Sequence, residues 1–316
     1  MYNSLKEKTK DFHLFIFALD NLCYKILTTL NLENSTIIPL SDFENDDLLN
    51  AKKDRTKAEY CWTCTSSAIE YILLRYNVSS CTYLDADLFF YSSPKILFDE
   101  LPNRKSVLIT DHRYSLIPKY LEQKRAGRFC VQFVTFKNQP DSRLVLTDWK
   151  NKCIEWCYNR YEDNKFGDQK YLDVWPDKYE NIHILNNLGG GVAPWNIGQY
   201  RISEQGNGLF LLERSTKKVF ELIFYHFHFV RFMENGTVDL GWNFINKSVV
   251  DKIYLPYILK IIETEKILIG INNEFSPNYS SFSKENIKGK GKYFFKRVSK
   301  FNILVTPGLN GTHNRS

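Results

Sequence analysis

CTYLDADLFFYSSP, residues 81–94, sets two carboxylates one residue apart in a run that is otherwise apolar or aromatic. Read as a strand, residues 81–90 send alternate side chains to one face, so Asp85 and Asp87 point the same way across Ala86. Two like charges side by side repel unless a cation or a shared proton lies between them. In an open parallel sheet, ligands bind outside the carboxyl ends of the strands. The stretch therefore predicts a strand that ends at a cation site, and with it an α/β fold.

Working outward, the N-terminal half alternates two kinds of segment. Residues 13–20 (HLFIFALD), 35–40 (STIIPL) and 106–112 (SVLITDH) read as strands. Residues 21–32, 59–77 and 94–101 read as helices, the second with Ile69, Ile72, Leu73 and Tyr76 on one face. Strands separated by helices predict a mainly parallel sheet flanked by helices. Further on, 129–138 reads as a strand, 143–163 as a long helix, 167–176 as the start of a short helix, and 181–187 and 217–232 as late strands. Gly189-Gly190-Gly191 marks a tight turn or a close backbone approach. Residues 247–270 predict a helix pair broken near Pro256, followed by a polar tail. The division expected is 1–245 as the functional domain and 246–316 as C-terminal helices with a basic tail.

A chain of 316 residues, 43% hydrophobic and 15% aromatic, is not a disordered one. No apolar run approaches the roughly 18 residues of a membrane helix. Residues 13–19 stop at Asp20 with no cleavage site behind them, so they read as a core strand and not a secretion signal. Seven scattered cysteines predict reduced thiols in the cytoplasm. Cys61/Cys64 and Cys153/Cys157 have zinc-like spacing, but it is also helical spacing beside Trp62 and Trp156, where buried thiols are ordinary, and metal-free thiols are the expectation. The net charge of +6 is uneven: Lys284, Lys288, Lys290, Lys292, Lys296, Arg297 and Lys300 surround Tyr293-Phe294-Phe295. That pattern suits an anionic membrane surface or nucleic acid, with a solvated tail as the plain alternative; of these the membrane surface is the expected partner, and no nucleic acid.

Three further groups qualify as partners for Asp85 and Asp87. His226 and His228, in FYHFHF (224–229), share one face if the segment is a strand, and are either core histidines or metal ligands. Histidine beside carboxylates favours Mn²⁺ over Mg²⁺. Asp168 and Gln169 open the helical segment GDQKYLDVWP; an N-cap role accounts for Asp168 alone but not for Gln169, Asp173 and Trp175 together. Arg55 offers either a cationic contact to phosphates or one more charge on a lysine-rich face.

These residues carry a resemblance. TYLDADLFFYSSP resembles the metal-binding segment of GT-A-type glycosyltransferases. GDQKYLD resembles the DQ-x-x-L-N segment of the retaining glycosyltransferases of family eight, and His226-Phe227 their late H-F-x-G segment. EYCWTCTSS, TYLDADLFF, FGDQKYLDVWP, APWN and FYHFHF, in order over residues 12–245, together resemble bacterial glycosyltransferases of surface-polysaccharide clusters. The resemblance implies a GT-A-type (Rossmann-like) fold and retaining transfer from a nucleotide-sugar, UDP-sugar favoured, to a saccharide or lipid-linked acceptor. It implies Mn²⁺ (or Mg²⁺) on Asp85, Asp87 and His226, with His228 in support. Ala18 and Asp20 would frame the base, Arg55, Asp85 and Ala86 the donor phosphates and sugar, and Asp168 and Gln169 the reacting carbon. Gly190, Gly191, Trp195 and Asn196 would line the acceptor side. The enzyme would work in the cytoplasm, peripheral to the inner face of the membrane. Where relatives carry N-x-G, this chain has Cys130 and Gln132, and Phe229 stands where they have glycine after H-F-x.

Three other classes share parts of this pattern. A sugar-1-phosphate nucleotidyltransferase has the α/β plan and metal carboxylates, but usually a glycine-rich loop after its first strand, and FALDNLCYK has none. A haloacid-dehalogenase-type phosphatase places its D-x-D near the first strand. A non-catalytic carbohydrate-binding relative is the reading that Cys130 and Gln132 leave open.

Overall fold

The computed structural model describes residues 1–115, 119–203, 208–281, 296 and 301–305. The basic tract expected at 284–300 lies outside them apart from Lys296. The chain forms two compact units, Met1–His226 and Phe227–Ser316.

In the first unit, β1 (Leu14–Ala18) and β2 (Ser35–Pro39) pair in parallel across the helix Asn21–Leu30. Asp20 caps that helix, its carboxylate accepting from the Cys23 amide at 2.7 Å. The long helix Lys57–Arg75 opens on a capping box of Thr56 and Glu59. Then follow β3 (Ser80–Leu84), β4 (Leu88–Phe90), β5 (Val107–Asp111), β6 (Phe129–Lys137) and β7 (Ile182–Ile184). Four of these form one sheet in the order β3-β6-β5-β7. The segments β8 (Tyr200–Ser203), β9 (Phe210–Glu213) and β10 (Val219–Glu221) form an antiparallel meander, and β11 (Phe224–His226) pairs with β4.

The fold is mixed α/β, but the mainly parallel sheet expected from sequence is not what forms. Within this unit β1–β2 and β5–β7 are the parallel strand pairs among the described residues, besides one isolated parallel bridge from Val192 to Tyr225. β6 runs antiparallel to both of its neighbours. The reason lies in the connection between β5 and β6: Asp111 pairs with Phe129, so residues 112–128 leave and re-enter at the same end of the sheet. A parallel strand needs a crossover to the opposite end.

β6 is buried along almost its whole length. One side of the core holds Val107, Ile109, Val134 and Phe136 under Trp149 and Trp175. The other holds Leu88, Phe90, Leu97, Leu108, Phe133 and Phe224. Side chains of this size each contribute about 1.5–3 kcal/mol when fully buried, which anchors β4 and β11 against β6. Cys153 and Cys157 belong to the first cluster beside Trp149 and Leu172.

Three boundaries differ from expectation. The helix read at 143–163 runs over Pro140–Glu155, with Pro140 in its first turn. Residues 217–232 break into β10, β11 and, in the second unit, β12 (Arg231–Phe232). The helix pair broken near Pro256 is one helical run: Lys247–Val249 passes through a π-helical turn, Val250–Tyr254, into Leu255–Ile271. A widened turn just ahead of Pro256 absorbs the ring that would otherwise kink the helix.

The second unit pairs β12, β13 (Thr237–Asp239) and β14 (Ile303–Val305) antiparallel. Phe227 stacks on Tyr257 at 3.7 Å, and the Lys296 ammonium is buried against Asp239. No helix among the described residues is long and apolar enough to cross a membrane.

Candidate metal centre

β3 stops at Leu84, one residue before the first carboxylate. The Asp85 amide still donates to the Gln132 carbonyl at 3.1 Å, continuing the β3–β6 ladder, and the Leu88 amide then donates back to the Asp85 carbonyl at 3.3 Å. Asp85, Ala86 and Asp87 thus form a tight turn between β3 and β4, not alternate positions of one strand as the sequence reading had it. The third group arrives by register. β4 pairs with β11 so that Leu88 lies opposite His226, which sets the imidazole beside Asp87.

The result is a compact cluster. His226 Nε2 lies 3.0 Å from Asp87 Oδ1 and 3.6 Å from Asp85 Oδ2. One ligand atom from each of the three residues falls within 4.8 Å of the others, a group able to hold a metal ion. The His226 side chain is 6% exposed, whereas Asp85 and Asp87 are 29% and 41% exposed, so the carboxylates face outward. Carboxylate oxygens with one imidazole nitrogen make a hard-to-borderline donor set that fits Mn²⁺ or Mg²⁺. Tyr83, a residue the sequence reading passed over, donates its hydroxyl to Asp85 Oδ1 at 2.9 Å. Its signal was its place two before Asp85, on the same strand face.

The electrostatics match such a role. Burial opposes charge on His226, yet the nearby Asp87 and Asp85 carboxylates hold its imidazole well above the ordinary range. Burial, with the charge of Asp87, raises Asp85 against the pull of His226 and Tyr83. Asp168 is buried and pushed up to about 7, first by burial and then by the charge of Asp85. Thr65 and the backbone N–H groups of Asp168 and Gln169 pull the other way. Asp168 is therefore electrostatically coupled to the cluster. Gln169, next to it, donates to the Ala126 carbonyl at 2.7 Å.

β6 departs from its neighbour here. Leu108 pairs with Thr135, but Thr110 pairs with Cys130, so β6 carries extra residues between these points. The Thr110 hydroxyl donates to the Phe133 carbonyl at 3.0 Å, satisfying part of the interrupted ladder. Bulges re-aim side chains, and this one holds the buried Gln132 with Oε1 2.7 Å from His226 Nδ1. Among the described residues its Nε2 has no hydrogen-bond partner.

The glycine loop closes over this amide. Gly191 has φ +90°, and a Cβ there would stand 2.6 Å from Thr110 Cγ2 and 3.1 Å from Gln132 Nε2. A Cβ on Gly190 would strike Leu185 at 2.7 Å. Asn196 is fully buried and ties the loop: it donates to the carbonyls of His112 and Gly191 and accepts from the Ala193 amide, each at 2.9 Å. Trp195 donates to the His112 carbonyl and meets the His226 ring edge-on at 5.3 Å.

The remaining expected residues lie as follows. Ala18 is buried at the end of β1, and Asp20 is exposed as the helix cap. Arg55 lies over the Tyr158 ring at 3.8 Å and donates to the Tyr158 hydroxyl and to the carbonyls of Ile154 and Glu155. Its guanidinium thus holds the carboxyl end of the helix Pro140–Glu155. His228 lies beyond the end of β11, exposed in a turn whose next residue, Phe229, has φ +67°. The alternation that would have given it the face of His226 stops at His226.

No known protein-family profile matches the chain. It is 31% identical over 267 residues to the uncharacterized protein YfnD of Bacillus subtilis (strain 168), covering 83% of each chain. It is also 31% identical over 300 residues to the uncharacterized protein YfnF of the same organism, covering 90% of this chain and 93% of that one. Among solved structures it is similar to mouse xyloside xylosyltransferase 1 in its apo form, with 12% identity and a TM-score of 0.42 over 71% of this chain and 88% of that one. The extent of the two Bacillus matches settles kinship: the chain belongs to the family of YfnD and YfnF.

Proposed function

We propose that the protein is a metal-dependent glycosyltransferase of the GT-A type, taking a sugar from a nucleoside diphosphate, UDP favoured, to a saccharide or lipid-linked acceptor. The observation that carries this reading is the cluster of Asp85, Asp87 and His226 within 4.8 Å. It is supported by the order of the sequence segments that resemble glycosyltransferases, within a proposed catalytic region of residues 1–245. Asp85, Asp87 and His226 would hold Mn²⁺ or Mg²⁺, which as a Lewis acid offsets charge on a departing diphosphate. Asp168, coupled to Asp85, and Gln169 would act at the sugar, where a fixed dipole or charge orients the acceptor and stabilises the electron-poor carbon. Trp195 and the Gly190-Gly191 loop would form the acceptor wall. Retention of configuration is proposed from the likeness of Asp168-Gln169 to the family-eight segment. The basic tract 284–300 would bring the enzyme to the cytoplasmic face of the membrane, where lipid-linked acceptors are found.

Calorimetry tests the reading. With Mn²⁺ present, UDP should bind and raise stability, by about 2.7 kcal/mol at 100 times its dissociation constant. Asp87→Ala, at the most exposed ligand, should leave the fold intact and abolish metal-dependent UDP binding. Unchanged, Mn²⁺-dependent affinity in that variant sinks the assignment. Pyrophosphate as the product, in place of free nucleoside diphosphate, would establish a nucleotidyltransferase instead.

A further inference from the structure

We propose that Gln132 is the positioning residue of the metal centre: its side-chain carbonyl fixes the His226 ring so that Nε2 is the nitrogen offered to the cation. This rests on the reading of Asp85, Asp87 and His226 as a cation site. Gln132 is fully buried in the bulge of β6, and its backbone carbonyl takes the Asp85 amide at 3.1 Å. One residue thus holds two members of the cluster, Asp85 through its main chain and His226 through its side chain at 2.7 Å.

The chemistry is directional. A carboxamide oxygen only accepts, so Nδ1 of His226 must carry a hydrogen. In the neutral imidazole, Nε2 is then the bare nitrogen, and it is the one that lies 3.0 Å from Asp87 and 3.6 Å from Asp85. The opposite amide orientation would donate to Nδ1 and leave the neutral ring with its hydrogen on Nε2, turned into the cluster. The orientation present leaves Gln132 Nε2, beside Gly191, without a partner among the described residues. The Cys130 thiol also lies against the imidazole, but sulfur is only a weak acceptor beside a carboxamide oxygen. Partners of this kind, which hold a ligating histidine by its other nitrogen, contribute about 10–100-fold to metal affinity.

The test uses the full-length chain and Mn²⁺ alone, with free Mn²⁺ followed by electron paramagnetic resonance. Gln132→Leu and Gln132→Met remove the acceptor at nearly constant volume; Gln132→Glu keeps it. Leu and Met should weaken Mn²⁺ binding by about 10–100-fold. Glu should bind at least as tightly as the wild type. Urea midpoints should stay near the wild-type value in Leu and Met, because an unpartnered amide disappears as the imidazole loses its partner. Affinity that is unchanged in both Leu and Met, or that falls equally in Glu, overturns the assignment of Gln132. His226→Ala separates this from failure of the site itself: if it binds Mn²⁺ as the wild type does, the cation site is wrong, whatever Gln132 does.

Discussion

Replacing Asp168 by Asn should remove a loss of stability that accompanies rising pH. Asp168 is buried and pushed up to about 7 by burial and by the charge of Asp85. In the unfolded chain its carboxyl returns to about 3.9. Below about pH 4 both states hold the proton and Asp168 adds no slope. Between about 4 and 7 the folded state keeps a proton that the unfolded state has released, so stability falls as pH rises, by about 1.4 kcal/mol per pH unit. Above about 7 the loss is complete, near 4 kcal/mol in all by the same arithmetic. Asn keeps the size and an acceptor oxygen for Thr65 but has no proton to lose. Relative to the wild type, the variant should therefore gain about 3 kcal/mol between pH 5 and pH 8, the part of the window lying above pH 5. Urea unfolding in EDTA, followed by tryptophan emission, reads this well, because the Trp149 indole donates to the Asp168 carbonyl at 2.8 Å. If the two proteins keep a constant difference from pH 5 to pH 8, Asp168 is ionised throughout, and its proposed place beside Asp85 is mistaken.

Other expectations follow from the same geometry. His226→Ala should weaken Mn²⁺ binding strongly while His228→Ala leaves it nearly unchanged, as titration calorimetry of both will show; the reverse order would mean that the strand end is misplaced. Gly191→Ala should cost more than about 1 kcal/mol in urea unfolding, because φ is +90° and the new methyl would meet Thr110 Cγ2 at 2.6 Å. Replacing Lys288, Lys290 and Lys292 by Gln should weaken sedimentation with anionic vesicles by about 1 kcal/mol per charge at low salt. It should leave Mn²⁺-dependent UDP binding untouched. Failure of the intact protein to bind anionic vesicles at low salt would point to a soluble acceptor.

Much of the cluster was legible because chemistry constrains it tightly. Two aspartates in an apolar run, and a histidine in another, are costly unless they share a partner, and the three do converge. Their backbone setting was less legible. LDADL has no glycine or proline to announce a turn, so the break after Leu84 hides inside a strand-like pattern. The turn forms because β4 is drawn to β11, more than a hundred residues away in sequence, through Phe90 and Phe224. His228 was given the face of His226 because alternation was assumed to continue, whereas the chain turns at a non-glycine residue, Phe229, with positive φ. The parallel sheet was overestimated for a related reason. Strands buried on both faces read as parallel, yet β6 is buried on both faces while antiparallel to its neighbours. Hydrophobicity reports burial, not direction.

The chemistry at the cluster is therefore only as well defined as two strand registers. On one side Leu84 pairs with Phe133, which sets Asp85 against Gln132; on the other Leu88 pairs with His226. A slip of β11 by one residue would turn His226 from the carboxylates and bring Tyr225 or Phe227 to its place. What resists that slip is the packing of Phe224, whose ring lies 5.4 Å from Phe133 in a stacked arrangement and 5.8 Å from Phe90 edge-on. These same rings belong to the core that covers one face of β6. Ring packing two residues from the imidazole fixes the register, the register fixes which nitrogen faces Asp87, and the Gln132 carbonyl fixes where that ring keeps its hydrogen. The polar centre needs no long-range charge network to hold it together, because the apolar core has already placed its parts.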